Sequence, residues 1–187
     1  MPKTPNFSQE KFLSAYRFSA EAHRGQKYPG TGLPYLMHIT SVSMEVIALL
    51  EVEPFKDPDL MIQCAILHDV IEDTKVSKRR LEEVFGKEIA QGVESLTKKK
   101  RIKDKEKRFT DNMARLKDAP REIQAIKLAD RISNLQTPPF YWDNKKIASY
   151  LEKSKIILKE LGNASPYLNI RLKEKIALYP ELVNHRG

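Results

Sequence analysis

Four ionisable side chains follow a long apolar run in the segment 59–74, which reads DLMIQCAILHDVIEDT. His68 and Asp69 end the run, and Glu72 and Asp73 follow after two aliphatic residues. On a helix, His68 shares a face with Glu72 and Asp69 shares one with Asp73, because residues four apart are neighbours. Unpaired buried charge is costly, so the group predicts a partner of opposite sign. A divalent metal such as manganese, iron or zinc suits imidazole plus carboxylate better than magnesium or calcium does.

The same residues allow a plainer interpretation, in which His68 caps a helix and the acids lie in solvent beyond it. Acids are disfavoured at the C-terminal end of a helix dipole, which weighs against that interpretation. Two distant segments favour a site. His38 closes the motif PYLMH near the start of another predicted helix, and Asp130 lies inside the amphipathic run KLADRISNL.

Together, PYLMH, HDVIEDT and KLADRISNL resemble the HD-domain metal phosphohydrolases, and more narrowly the hydrolase domain of RelA/SpoT homologues and the stand-alone small alarmone hydrolases. The resemblance spans roughly residues 12–161. It implies four ligands for one metal ion, with Mn²⁺ as the favoured metal: His38, His68, Asp69 and Asp130. Four protein ligands leave positions open for water and a phosphate oxygen, as a catalytic site requires.

The resemblance also implies a reaction and the groups that assist it. Glu72 and Asp73 would orient water and move protons, without the sequence deciding which of them is the base. The implied activity is that of a guanosine-3′,5′-bis(diphosphate) 3′-pyrophosphohydrolase, which converts (p)ppGpp to GDP or GTP and pyrophosphate. We therefore expect a metal-dependent hydrolase of a small nucleotide.

An alarmone carries several negative charges, which predicts cationic side chains around the metal. The candidates from the chain are Arg24, Lys27, Lys98, Lys107 and Arg108. Asn134 lies one helical turn after the acid of the KLADRISNL run and could bond the ribose or a phosphate. By resemblance, Tyr150 matches a position at which an aromatic ring lies near the nucleotide.

The loop 26–34 departs from the family pattern. In the family this loop commonly offers an Arg-Lys pair to the base, whereas here Lys27 is followed by Tyr28. A second interpretation therefore stays open, in which the same fold and metal chemistry act on an adenosine alarmone or on the 2′-phosphate of NADPH. A hydrolase of this type could also be paired with a toxic alarmone synthetase.

The basic segment 98–108, KKKRIKDKEKR, holds eight basic and two acidic residues and so contributes +6 of the net charge of +8. That concentration predicts an anionic ligand nearby, or else a solvated charge run. Nucleic-acid binding through this segment is a third interpretation, and it would show strong salt dependence. The segment has no interleaved aromatic platform, which weighs against it.

The composition suits an ordinary globular domain. Hydrophobic residues make up 41% of the 187 and charged residues 31%, which excludes disorder as the default. No apolar run reaches membrane-spanning length, and residues 1–9 lack a signal-peptide core. The single cysteine, Cys64, excludes an internal disulfide and fits a reducing compartment. We expect a cytoplasmic protein with one domain over residues 1–187.

Helical periodicity recurs along the chain, and no alternating strand pattern appears. The predicted helices cover 8–24, 35–50, the segment 59–74 (the HD segment), 78–85, 89–97, 109–116, 122–135, 143–161 and about 165–179. We therefore predict an all-α fold, a single HD-domain bundle of eight or nine helices around one site. Its core would span about 8–162, followed by a C-terminal helix at about 165–179.

Overall fold

Helices make up nearly all the regular structure of residues 6–184, the part of the chain that the computed structural model describes. They are α1 (Gln9–Ala22), α2 (Leu36–Val52), α3 (Pro58–Leu67), α4 (Val70–Asp73), α5 (Lys78–Phe85), α6 (Lys87–Leu96), α7 (Lys105–Lys117), α8 (Arg121–Asn134), α9 (Asn144–Leu161) and α10 (Pro166–Asn184). A 3-10 turn, Gly162–Ala164, joins the last two. Over these residues there is no sheet, and the predicted all-α fold is confirmed.

Helix α3 lies at the centre, because it is apolar on every side. All residues from Met61 to Leu67 are buried, and α3 packs against α1, α2, α6 and α8. The Asp57 side chain caps its N-terminus by accepting a hydrogen bond from the Leu60 amide, and Pro58 occupies its first turn. Burial of each large aliphatic side chain here stabilises the fold by roughly 1.5–3 kcal/mol. The helix therefore gives the residues that follow it a rigid support.

Helices α2 and α8 flank α3 and also pack against each other. Helix α8 is buried continuously from Ala125 to Ser133, including its polar residues. Helix α2 is buried on the face that carries His38. The two helices therefore bring polar side chains into the interior beside the end of α3.

Three differences from the predicted helices exceed two residues or break a helix. The HD segment is interrupted, because α3 ends at Leu67 and α4 is a single turn. Helix α7 begins at Lys105 instead of Phe109, since Asp104 caps it by accepting from the Lys107 amide. Helix α10 continues beyond Pro180, where the sequence predicted its end near Tyr179.

Packing explains why α10 continues. Tyr179 is buried, and Leu182 and Val183 pack against the core, so burial outweighs the backbone hydrogen bond that Pro180 removes. Within residues 6–184, no helix has the length and apolar character needed to cross a membrane.

Candidate metal centre

Three elements bring four predicted ligands together. His38 comes from the first turn of α2, His68 and Asp69 from the junction of α3 and α4, and Asp130 from α8. The two imidazole Nε2 atoms lie 3.1 Å apart. Asp69 Oδ2 is 3.0 Å from His68 Nε2 and 3.7 Å from His38 Nε2. Asp130 Oδ1 is 3.5 Å from His38 Nε2 and 3.8 Å from His68 Nε2.

Hydrogen bonds orient both imidazoles toward this cluster. His68 Nδ1 lies 2.7 Å from the Ala65 carbonyl oxygen, which can only accept, so Nδ1 carries the proton. His38 Nδ1 lies 3.2 Å from Ser133 Oγ, which can accept in the same way. Each Nε2 is then left with a lone pair directed at the two carboxylates, the arrangement of metal-binding histidines.

The electrostatics of the cluster favour a cation. Although burial opposes a charge on His68, the carboxylates of Asp69 and Asp130 raise its pKa to about 9. Although burial opposes ionisation of Asp69 too, His68 holds the pKa of that carboxyl well below its usual range. A proton on His68 supplies part of the positive charge that the carboxylates of Asp69 and Asp130 favour, and a divalent ion would supply it in place of that proton.

The donor set fits a divalent transition metal. Among the described residues, His38, His68 and Asp130 offer ligand atoms within 4.8 Å of one another, and all three side chains are buried. Asp69 Oδ2 faces the same two nitrogens, and the Asp69 side chain is partly exposed. Nitrogen with carboxylate oxygen suits manganese, iron or zinc.

Two supporting residues were missed by sequence reasoning. Tyr35 Oη donates to Asp69 Oδ2 at 2.5 Å, and Lys127 Nζ donates to Asp130 Oδ2 at 2.7 Å. Lys127 could have been found, because it precedes Asp130 by three residues on a predicted helix and so shares its face. The contact of Tyr35 depends on how α2 packs against α3, and no local pattern reveals it.

The two acids of the HD segment have different surroundings. Both carboxylate oxygens of Glu72 accept from Lys98, one from its amide at 2.8 Å and one from Nζ at 2.8 Å. Asp73 is exposed, and its Oδ2 accepts from Gln26 Nε2 at 3.4 Å. Burial of part of the Asp73 side chain, together with the negative charges of Asp69 and Glu72, raises the pKa of Asp73.

Three predicted substrate-binding residues lie at the cluster. Lys98 contacts Glu72, and the negative charges of Glu72, Asp69 and Asp130 outweigh burial and raise the pKa of Lys98. Asn134 donates to Asp130 Oδ1 at 2.5 Å, so it holds a candidate ligand. The Tyr150 ring has the Arg131 guanidinium 4.2 Å above it, and burial raises the pKa of its hydroxyl.

The other predicted cations point elsewhere or into solvent. Arg108 donates to the carbonyl oxygens of Ile102 and Lys103, and so holds the basic segment 98–108 in its fold. Arg24 pairs with Glu21 on the exposed surface, and the side chains of Lys27 and Lys107 are exposed. Lys100, which sequence reasoning passed over, lies close enough to Asp73 to oppose the rise in its pKa.

Comparisons with known proteins agree with this geometry. A family model described as "HD domain" matches residues 15–148. A protein named guanosine-3′,5′-bis(diphosphate) 3′-pyrophosphohydrolase MESH1 from Danio rerio is 28% identical over 167 residues, which cover 87% of this chain and 90% of that protein. The protein of the same name from Drosophila melanogaster is 27% identical over 173 residues, covering 90% and 94%.

A third relative is much longer. A guanosine-3′,5′-bis(diphosphate) 3′-pyrophosphohydrolase from Aquifex aeolicus is 33% identical over 141 residues, which cover 73% of this chain but 19% of that protein. Among solved structures, one described as a metazoan orthologue of SpoT that hydrolyses ppGpp superposes with a TM-score of 0.81 at 24% identity, covering 91% of this chain and 96% of that one. That likeness establishes the fold.

Proposed function

Because the chain belongs to the HD domain family, we propose that it is a metal-dependent pyrophosphohydrolase that removes the 3′-diphosphate of a (p)ppGpp-like nucleotide. The observation that carries the proposal is the juxtaposition of the cluster His38, His68, Asp69 and Asp130 with the carboxylates of Glu72 and Asp73. Relatives named for this activity match over 87% and 90% of the chain, which supports the same substrate class.

The four clustered residues would hold the metal ion, for which Mn²⁺ is our first candidate. The ion supplies a Lewis acid that activates water and stabilises negative charge on phosphoryl oxygens. Tyr35 and Lys127 hold one oxygen of Asp69 and of Asp130, respectively, and so fix the direction in which the remaining lone pairs point.

Asp73 is better placed than Glu72 to take a proton from the attacking water. Both oxygens of Glu72 already accept from Lys98, whereas Asp73 is exposed and the charges of Asp69 and Glu72, with partial burial, raise its pKa. Water gives a proton to Asp73 and attacks the phosphorus next to the ribose 3′ oxygen. The bond between that phosphorus and the 3′ oxygen breaks, and the 3′ oxygen leaves with the proton that Asp73 returns. The products are GDP or GTP and pyrophosphate.

Lys98 would bind the 3′-diphosphate of the substrate. Its ammonium group lies 2.8 Å from Glu72, and its side chain is 35% exposed, so it can also face a ligand in the site. A lysine held beside the carboxylates gives the anionic diphosphate a fixed positive charge. Lys100 lies near Asp73 on the same segment and can add to this charge.

A second substrate is favoured by one observation. In the loop 26–34, Tyr28 stands where the family commonly has a cation that contacts the base. Its ring stacks on His38 with a centroid distance of 5.9 Å and an interplanar angle of 21°. A neutral ring does not select the carbonyl of guanine as a cation does. An adenosine alarmone, or NADPH with its 2′-phosphate, is therefore the alternative.

The test uses metal-stripped protein with ppGpp, pppGpp, ppApp and NADPH, measured with and without added Mn²⁺. Pyrophosphate and phosphate are followed separately, and Asp69→Asn is the control because it keeps the side-chain shape and removes the charge. Mn²⁺-dependent pyrophosphate release from ppGpp, lost in Asp69→Asn, is the expected result. Phosphate release from NADPH alone would identify NADPH, and not (p)ppGpp, as the substrate. No turnover of any compound by metal-loaded protein would overturn the proposed activity.

A further inference from the structure

Gln26 joins a buried histidine to Asp73. Its Oε1 lies 2.8 Å from His23 Nδ1, and its Nε2 donates to Asp73 Oδ2 at 3.4 Å. His23 is 4% exposed, and its ring centroid lies 4.9 Å from that of Tyr35, whose hydroxyl binds Asp69. Gln26 and His23 are absent from the mechanism above, although they lead directly to its proposed base.

The hydrogen bonds that link His23, Gln26 and Asp73 can run in one direction only. An ionised Asp73 accepts and cannot donate, so the NH₂ group of the Gln26 amide must face it. Oε1 of the same amide must then face His23, and it can only accept. His23 therefore carries its proton on Nδ1 and donates to Gln26, while its Nε2 is buried without a hydrogen-bond partner among the described residues.

The backbone of Gln26 is fixed independently of its side chain. Its amide donates to the His23 carbonyl at 2.9 Å, and its carbonyl accepts from the Tyr35 amide at 2.9 Å. The neighbouring residues Lys27 and Pro34 form an isolated bridge that closes the loop. The side-chain amide therefore projects from an anchored position, and its reach toward Asp73 is defined by the fold.

We propose that Gln26 is a positioning residue for Asp73, and that His23 fixes the orientation of its amide. The inference rests on the proposed function, in which Asp73 takes the proton from water. Gln26 holds one carboxylate oxygen and leaves the other for the water. The two acids are thus held by different means, Glu72 by the charge of Lys98 and Asp73 by a neutral amide.

The kinetic test compares Gln26→Met with wild type under Mn²⁺ saturation. Methionine has a similar length and removes the amide, so we expect kcat to fall about 10- to 100-fold, as misplacement of a catalytic group by about 1 Å does. KM and the affinity for Mn²⁺ should stay within about twofold, because neither Gln26 nor His23 is in the metal cluster. A fall in metal affinity equal to the fall in kcat would assign Gln26 a general structural role and overturn the inference.

A matched pair at position 23 tests the second link. His23→Asn keeps a donor nitrogen near the position of Nδ1, whereas His23→Leu removes it. We expect the leucine variant to lose about as much kcat as Gln26→Met, and the asparagine variant to recover most of it. The double variant Gln26→Met/His23→Leu should be no worse than either single variant, because the two residues act as one unit. Additive losses would contradict the link.

Nuclear magnetic resonance tests the contacts without turnover. With four histidines in the chain, ¹⁵N spectra can identify His23, which should be protonated on Nδ1. The side-chain NH₂ signals of Gln26 should shift in Asp73→Ala and in His23→Leu, while a control variant, Lys117→Met, leaves them unchanged. Unchanged Gln26 signals would sink the inference even if hydrolysis is found. Shifted signals with an inactive wild type would instead locate the failure in the proposed function.

Discussion

Lys127 and Asp130 form a buried ion pair on one face of α8, with Nζ 2.7 Å from Oδ2. The two residues are 5% and 7% exposed. The other oxygen of Asp130, Oδ1, faces His38 at 3.5 Å and accepts from Asn134. Burial opposes the charge on Asp130, but Lys127 and the histidines hold the pKa of its carboxyl well below the usual range. Lys127 is therefore the fixed counter-charge of a candidate metal ligand.

We expect Lys127→Met to destabilise the metal-free protein by about 3–5 kcal/mol, because removal of one partner leaves a buried carboxylate unpaired. Urea unfolding at pH 7 measures the loss. Added Mn²⁺ should recover part of it by supplying positive charge to Asp130.

The control for this variant is Lys117→Met. Lys117 pairs with Glu160 at the exposed surface, where ion pairs contribute little, so its unfolding midpoint should barely move. Equal losses in the two lysine variants would show that the charge of Lys127 is not what holds Asp130.

Metal binding should stabilise the folded chain. An ion present at about 100 times its Kd adds about 2.7 kcal/mol, which for a chain of this size raises Tm by about 5–10 °C. We expect that rise with Mn²⁺ for wild type and its loss in His38→Ala, measured by differential scanning fluorimetry of stripped protein. His23→Asn changes a buried histidine outside the cluster and should keep the full rise. A full rise in His38→Ala would contradict the proposed ligand set.

Helical periodicity was enough to predict the all-α fold, and the resemblance to the HD-domain phosphohydrolases implied the four residues of the cluster. Three elements place His38, His68, Asp69 and Asp130 within a few ångströms, although their roles as ligands stay a prediction. These features could be predicted because α3 is a continuous apolar run and α8 is an amphipathic one, and both carry ionisable side chains that stand out from the pattern. Local signals therefore determined both the elements and the faces they bury.

Contacts between distant segments could not be predicted from the sequence. Lys98 pairs with Glu72 across 26 residues, and Gln26 reaches Asp73 across 47, because of how the loops settle on the packed helices. The same reason explains why Arg108, predicted to bind substrate, turns to backbone carbonyls. Charge and spacing indicate which cations are candidates for substrate binding, but tertiary packing determines which of them face the site.

The contacts of Asp59 predict that the stability of the fold depends on pH. Its Oδ1 accepts from the Ser8 amide at 2.6 Å and its Oδ2 from Lys11 Nζ at 2.7 Å, which ties the start of α1 to α3. Burial works against the charge, but the bonds from Lys11 and Ser8 outweigh it and lower the pKa of Asp59. A lowered pKa in the folded state stabilises the protein above the unfolded-state pKa, near 4, and this contribution is lost as the pH falls through the folded value.

Asp59→Asn should therefore cost about 1 kcal/mol of unfolding free energy at pH 7, and the difference from wild type should shrink below about pH 4. Urea unfolding at several pH values measures it. Lys11→Met, which keeps the bond to Ser8, should show a smaller loss with the same pH trend. A cost for Asp59→Asn that stays constant down to pH 3 would mean that shape, and not charge, makes the contact.

Gly92 allows α6 to approach α3 and α8 closely. A Cβ at this position would lie 2.7 Å from Cys64 Sγ and 2.8 Å from Ile123 Cδ1, both nearer than side-chain atoms tolerate. Gly92→Ala gains about 1 kcal/mol of helix propensity. Overpacking in the core costs about 1–3 kcal/mol, so we expect net destabilisation of up to about 2 kcal/mol by urea unfolding. Gly32→Ala, where a Cβ meets nothing within 4 Å, is the control for the steric contact, and it lies in a loop where no helix propensity is gained.

Removal of the Cys64 sulfur atom tests whether its contact with position 92 causes the loss of stability. Cys64→Ala removes it and leaves space beside position 92, so the double variant Cys64→Ala/Gly92→Ala should lose less stability than the sum of the two single variants. Relief should be partial, because Ile123 still limits the space on the α8 side. Residues in direct contact couple by about 0.5–3 kcal/mol, whereas distant ones add. Strict additivity would mean that α6 shifts away from α3 as a whole, and that Gly92 does not set the distance between these helices.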